Sequence, residues 1–164
     1  MITNKWITEF ENAQDAVKIR EEVFLNEQSV PRDAEFDEHD NVAMHVIVYD
    51  DKIPIATGRV WHDGKTFRIG RLAVIKEFRK QGYGDLLIKL LLLKVFEYNP
   101  SVVCIVAQEG TLGFYERYGF AKTGDVIMHA EIPHIPMKVT KETLLFKSAC
   151  GHDKTYADFF PDGK

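Results

Sequence analysis

Apolar and polar positions alternate weakly over Lys5–Phe10, which predicts a first strand. Asn12 reads as the N-cap of a helix in which Ala16, Val17, Ile19, Val23 and Phe24 recur near helical spacing. From Asn26 to Asn41 the periodicity stops. Pro31 and the acids Asp33, Glu35, Asp37, Glu38 and Asp40 read as a loop with a short helix. His45–Tyr49 and Ile53–Trp61 are rich in β-branched residues and flank Asp50-Asp51-Lys52, a hairpin signal. A second turn, His62 to Lys65, leads into Phe67–Val74, so three strands form an antiparallel meander.

Lys76 to Gly84 is a polar loop bearing two glycines. Asp85 to Tyr98 predicts a helix whose wide apolar face holds Leu86, Leu87, Leu90, Leu91, Leu93 and Val95; Asn99-Pro100 ends it. Val102–Ala107 is a continuous apolar run, expected of a strand covered on both faces. Thr111–Tyr118 reads as a short helix closed by Gly119. Phe120 starts a further strand, and Pro136–Thr140 a last one after the extended Ile132–Pro136. The order is β-α-β-β-β-α-β-α-β-β, an α+β architecture. We expect one domain over residues 1–140 and an extension of unknown role over 141–164, where Tyr156, Phe159 and Phe160 give the tail something to pack with.

With 164 residues, 45% hydrophobic and 28% charged, the chain suits a single globular domain rather than a disordered one. Its 21 basic against 25 acidic residues lack the surplus a nucleic-acid binder needs. The N-terminus has no signal-peptide pattern, and Lys89 and Lys94 interrupt the most apolar stretch. Two cysteines, Cys104 and Cys150, make no disulfide framework. These features predict a cytoplasmic protein without a membrane or nucleic-acid partner. His129, His134, Cys150 and His152 match no standard zinc spacing, so no metal is expected.

The sharpest chemical feature is the passage from Phe67–Val74 through Arg79-Lys80-Gln81-Gly82-Tyr83-Gly84 into the leucine-rich helix. A helix N-terminus offers unpaired N–H groups and the positive end of its dipole, glycines admit an anion to the backbone, and Arg79 and Lys80 add charge. This is a pyrophosphate cradle; the plain alternative is a strand–helix turn that uses glycine. An NTPase loop would need Lys and Ser or Thr where Asp85 follows Gly84. A dinucleotide fingerprint would need a third small residue where Leu87 stands.

Arg79-x-x-Gly82-x-Gly84 resembles the acyl-CoA motif of the GNAT superfamily of N-acetyltransferases. Phe114-Tyr115 through Gly119-Phe120 resembles that family's Phe-Tyr-x-x-x-Gly-Phe segment. The resemblance covers Ile7 to Thr140. Arg20-x-x-Val23-Phe24, Glu27-Gln28, Glu35-x-Asp37-x-x-Asp40 and Ile132-Pro133-His134 further resemble the small bacterial branch of ElaA- and YjcF-like proteins.

The resemblance implies a mixed, mostly antiparallel sheet flanked by helices, with a splayed strand pair that binds acyl-CoA. It implies acetyl-CoA as acyl donor and a primary amine of a small molecule or peptide as acceptor. Leu72, Ala73 and Val74 would pair with pantetheine, and Arg79, Lys80, Gln81, Gly82, Tyr83 and Gly84 would hold the pyrophosphate. Tyr115 would protonate the departing thiolate, the plain alternative being an aromatic packed under the glycine turn. Gln108 stands where many relatives carry Asn. Arg68 stands where some carry a glutamate base, so the base is sought among Glu27, Glu35, Asp37, His45 and His134, with Glu27 preferred. The acidic loop suggests attraction of a cationic amine, or simply a solvated face. Because the strand carboxylate is missing, a non-catalytic acyl-CoA-binding protein is the alternative. A homodimer is open, with no seam legible.

Overall fold

The computed structural model describes residues 1–146 and 152–161. They form two compact units, Met1–Lys65 with Ile69–Lys94, and Thr66–Arg68 with the described residues from Val95 on.

In the first unit, β1 (Ile2–Ile7) pairs antiparallel with β2 (Met44–Asp50), from Ile2↔Asp50 to Ile7↔His45. The strand therefore starts and ends earlier than its weak alternation predicts. β2 turns into β3 (Ile53–His62) through Asp51 and Lys52, both at positive φ (45° and 73°), as a two-residue hairpin turn requires. β4 (Phe67–Val74) lies next to β3 and matches the predicted strand residue for residue.

Val46, Ile47 and Val48 are buried in succession, because layers cover both faces of β2. One layer contains α1 (Gln14–Arg20), which packs on β2 and β3 and buries Ala16, Ile19 and Arg20. Asn12 is not its cap: it sits in a preceding 3₁₀ turn and donates to Glu9, and Ala13 precedes the helix. α1 runs on as a π-helical segment, Glu21–Glu27, that buries Val23 and Phe24. The other helix is α3 (Tyr83–Phe96), numbered after the single-turn α2 (Arg32–Glu35). It buries Leu87, Ile88, Leu91 and Leu92. It lies so close to β3 that a Cβ on Gly58 would stand 2.7 Å from Leu91 Cδ1.

In the second unit, the start of β4 pairs in parallel with β5 (Val103–Gln108) at Phe67↔Val103 and Arg68↔Cys104. α4 (Leu112–Glu116) follows β5. Next come β6 (Ala121–Lys122), β7 (Ile127–His129) and β8 (Ile132–Val139), the last a single strand where two segments were expected. β8 pairs antiparallel with β5, β6 and β7. The fold is thus α+β with a mostly antiparallel sheet flanked by helices. β5 is not covered on both faces: Val103, Ile105 and Ala107 are buried, whereas Val106 is 43% exposed. The run Val102–Ala107 is apolar throughout, so the sequence could not show which face stays open.

The described part of the extension is packed. β9 (Leu145–Phe146) and β10 (Lys154–Thr155) form a small antiparallel ribbon, and α5 (Tyr156–Phe159) carries a Thr155–Asp158 capping box. Tyr118, Phe146 and Phe159 meet edge to face, as do Phe96 and Tyr156. Gly119, at φ +90°, admits this chain: a Cβ there would lie 1.8 Å from the Thr143 carbonyl oxygen.

Candidate functional site

β4 changes conformation just before the residues expected to meet pantetheine. Gly70 leaves room for Trp61, against whose ring a Cβ would stand at 3.2 Å. Arg71 then adopts φ +55°, a left-handed conformation that L-residues rarely take inside a strand. Its guanidinium holds it there. Nε donates to the Glu35 carbonyl at 3.0 Å, and Nη2 donates to the Ala34 carbonyl and to Asp37 Oδ2, both at 3.2 Å. Beyond it, Leu72 and Val74 are half-buried and Ala73 is buried.

A 3₁₀ turn, Lys76–Phe78, leads to Arg79. Arg79 Nε donates to the Val74 carbonyl at 2.9 Å, which folds the turn back onto the strand end. Nη1 and Nη2 fork onto the Glu27 carboxylate at 2.8 and 2.7 Å. Lys80 and Gly82 take positive φ, 62° and 87°. The Gly82 carbonyl accepts the first helical bond, from Leu86 N–H at 3.0 Å. Helix α3 therefore begins at Tyr83, two residues before the predicted start, and Gly84 lies inside its first turn. N–H groups in that turn have no acceptor within the helix. Lys80, Gln81 and Gly82 are exposed, and a Cβ on Gly82 would meet nothing within 4 Å. The loop is open and exposed at a helix N-terminus, with Lys80 as its unburied cation, and its backbone donors fit a pyrophosphate. Tyr83 turns away, its hydroxyl 3.3 Å from Asp50.

The acidic loop is split: Asp33 and Glu38 are exposed, whereas Glu35, Asp37 and Asp40 are engaged by arginines of the same chain. Glu35 and Asp40 are 2% and 0% exposed. Arg20 Nε donates to Glu35 Oε1 at 2.9 Å, while its Nη1 and Nη2 donate to Asp40 at 2.7 and 3.1 Å. Arg59 Nη1 reaches both Asp37 Oδ1 and Asp40 Oδ1 at 2.7 Å. Burial alone would raise the Asp37 pKa, but the hydrogen bond from Arg59 and the charges of Arg59 and Arg71 outweigh it and hold the carboxyl at about 2. Burial pushes Glu35 up. The signal for this network lay in its arginines. Arg20 falls on the apolar face of α1 and Arg59 between Gly58 and Val60, and a charge in such a position needs buried partners.

His45 is also internal. It is 1% exposed, donates from Nε2 to the Asp40 carbonyl at 3.0 Å and stacks on Phe10. Glu27 is occupied by Arg79, whose hydrogen bond lowers its pKa and makes it a weak proton acceptor.

In the second unit, Gln108 ends β5 opposite His134 of β8. Thr111 Oγ1 donates to the Gln108 carbonyl at 2.7 Å and ties the strand end to the turn before α4. Tyr115 is buried on α4, edge-on to Phe114 and Phe120, and burial pushes its phenol well up. It stays protonated throughout the working pH range. Among the described residues no group of three or more His, Cys, Asp or Glu is arranged to hold a metal, and no helix is long and apolar enough to cross a membrane. Cys104 is a free thiol; Cys150 lies outside the described residues.

The family model "Acetyltransferase (GNAT) domain" matches residues 10–141. The uncharacterized N-acetyltransferase YjcF of Bacillus subtilis is 33% identical over 128 residues, covering 77% of this chain and 91% of the relative. Among solved structures, an acyl-CoA N-acyltransferase from Pseudomonas aeruginosa aligns with TM-score 0.74 and 27% identity, covering 85% of this chain and 99% of that one. Escherichia coli ElaA aligns with TM-score 0.76 and 22% identity over 85% and 99% of the two chains. The chain belongs to the GNAT family of acetyltransferases, acyltransferases that use acetyl-CoA as donor.

Proposed function

We propose that the protein transfers the acetyl group of acetyl-CoA directly to a primary amine of a small molecule or peptide, in the cytoplasm. The observation that carries this reading is the open loop at Gly82, where the backbone of Arg79 to Gly84 meets the N-terminus of α3 and the space a Gly82 side chain would occupy is free. Bound acetyl-CoA supplies an activated thioester with a thiolate leaving group. In this reading the cradle holds the diphosphate through backbone N–H groups and the charge of Lys80. Arg79 shapes the loop, because Glu27 and the Val74 carbonyl already engage its guanidinium.

Leu72 and Val74 offer backbone groups to the pantetheine arm, with Ala73 between them, and the Leu72 N–H polarises the acyl carbonyl. Oxyanion donors of this kind contribute ~3–4 kcal/mol each. Gln108 offers its amide to the same arm. Tyr115, held protonated by burial, gives a proton to the departing sulfur.

The test has two stages. Calorimetry should show acetyl-CoA binding. Thiol release should then depend on an added amine, taken from a panel of cadaverine, tyramine, glucosamine and a lysyl peptide. Failure to bind acetyl-CoA would overturn the cradle. Binding without amine-dependent thiol release would overturn the transfer.

A further inference from the structure

We propose that His134 is the general base that takes the proton from the acceptor's ammonium group; this rests on the transferase reading above. Of the five candidate bases in the sequence, four are committed elsewhere. Glu27 is forked by Arg79, Glu35 is buried against Arg20, Asp37 is held by Arg59, and His45 is buried under Phe10. His134 differs in burial, chemistry and position.

It is half-buried rather than enclosed. Its Nδ1 lies 2.8 Å from the Ile132 carbonyl oxygen. A carbonyl can only accept, so Nδ1 carries the hydrogen and the neutral ring keeps its basic lone pair on Nε2. The hydrogen bond fixes both the tautomer and the ring's orientation.

In the antiparallel register His134 stands directly opposite Gln108. Residues so paired share one face of the sheet, with Cβ atoms ~4.5–5.5 Å apart. On its other side lies Ile127 of β7, and the ring of His129 approaches edge-on at 5.6 Å. The imidazole thus sits beside the amide proposed to contact the pantetheine arm, and its cross-strand neighbours, Gln108 and Ile127, carry no charge.

The step balances as follows. The ammonium gives one proton to Nε2, which passes it to solvent, and the freed lone pair attacks the thioester carbon. The C–N bond forms and the C–S bond breaks. The nitrogen loses its second proton while sulfur gains one, so each turnover releases one proton net.

Two measurements test this. In ¹⁵N-labelled wild-type protein at a pH where the ring is neutral, long-range nitrogen–proton correlation should show Nδ1 protonated and Nε2 bare. The opposite tautomer overturns the proposal without reference to activity. Next, His134→Ala should keep acetyl-CoA affinity and lose ~10²–10⁴-fold in kcat with the fastest amine of the panel. Added imidazole, after subtraction of the enzyme-free rate, should restore part of it. Should that variant fold poorly, His134→Gln is measured against the same expected loss. A folded variant with parental kcat, or one that imidazole cannot rescue, overturns the role of His134 while leaving the transferase reading intact. A wild-type protein that binds acetyl-CoA but releases no thiol with any amine overturns both.

Discussion

Asp40→Asn tests whether the buried charge network holds the first unit together. The carboxylate is 0% exposed and accepts from Arg20 Nη1 and Arg59 Nη1 at 2.7 Å, from Arg20 Nη2 at 3.1 Å and from Asp37 N–H at 3.2 Å. Asparagine keeps one acceptor oxygen and turns an NH₂ group toward donors. It also leaves Arg20 and Arg59, each 1% exposed, short of a counter-charge. Removing one partner of such a pair costs ~3–5 kcal/mol. That is a large share of a typical ~5–15 kcal/mol total. With m of ~2 kcal/mol per molar urea, the unfolding midpoint at pH 7 should fall by ~1.5–2.5 M. Glu35→Gln is the control. Burial already disfavours the Glu35 charge and an amide oxygen can still accept from Arg20, so its midpoint should move far less. Acid adds a second reading. Asp37 titrates near 2 when folded against 3.8 otherwise, so its pairing contributes ~2 kcal/mol above pH 3.8 that is lost as pH falls through about 2. Glu35 has the opposite sign: its contribution is present below pH 4.5 and is lost as pH rises through its raised value. An Asp40→Asn midpoint within 0.3 M of the parent would refute the reasoning, the threshold corresponding to roughly 0.6 kcal/mol.

Three shorter tests address the site. Glu27→Gln should raise the acetyl-CoA KM several-fold by loosening Arg79 and leave kcat within about threefold; a ~10²-fold kcat loss at saturating donor would instead make Glu27 the base. Gly82→Val should abolish acetyl-CoA binding in calorimetry. Only the strain of a positive φ, ~1–2 kcal/mol, should reach the melting curve, because the new side chain meets open space; undiminished affinity in a folded variant would refute the cradle. Tyr115→Phe keeps the ring against Phe114 and Phe120, so stability should hold while single-turnover kcat falls ~10²–10⁴-fold. Parental turnover would assign the proton to another donor, and joint loss of rate and stability would assign Tyr115 to packing.

What could be read in advance followed from local signals. β4 emerged residue for residue because a turn and a polar loop bracket a run of the right length. The cradle was legible as a motif, but its boundary was not. Glycines at 82 and 84 read as loop, whereas only Gly82 needs positive φ, and Gly84 is already helical. Pairings across long separations were invisible. Glu27 meets Arg79 52 residues away, and the acidic loop looked solvated because its partners at positions 20, 59 and 71 lie on three other elements. The extension escaped for a different reason: strands of two residues, such as Leu145–Phe146, have no period to detect.

The acidic loop and the cradle are linked through β4. Arg71 in a left-handed conformation costs on the order of 1–3 kcal/mol, which the surroundings must offset. Here the offset comes from two backbone carbonyls, of Ala34 and Glu35, and from Asp37 Oδ2. Those acceptors stand where they do because Arg20 and Arg59 pin Glu35, Asp37 and Asp40 in place. The cation that this loop captures is therefore an arginine of its own chain. The effect of the capture is to fix the backbone at the residue immediately before Leu72. Three of the loop's carboxylates, Glu35, Asp37 and Asp40, are thereby committed to arginines of the fold.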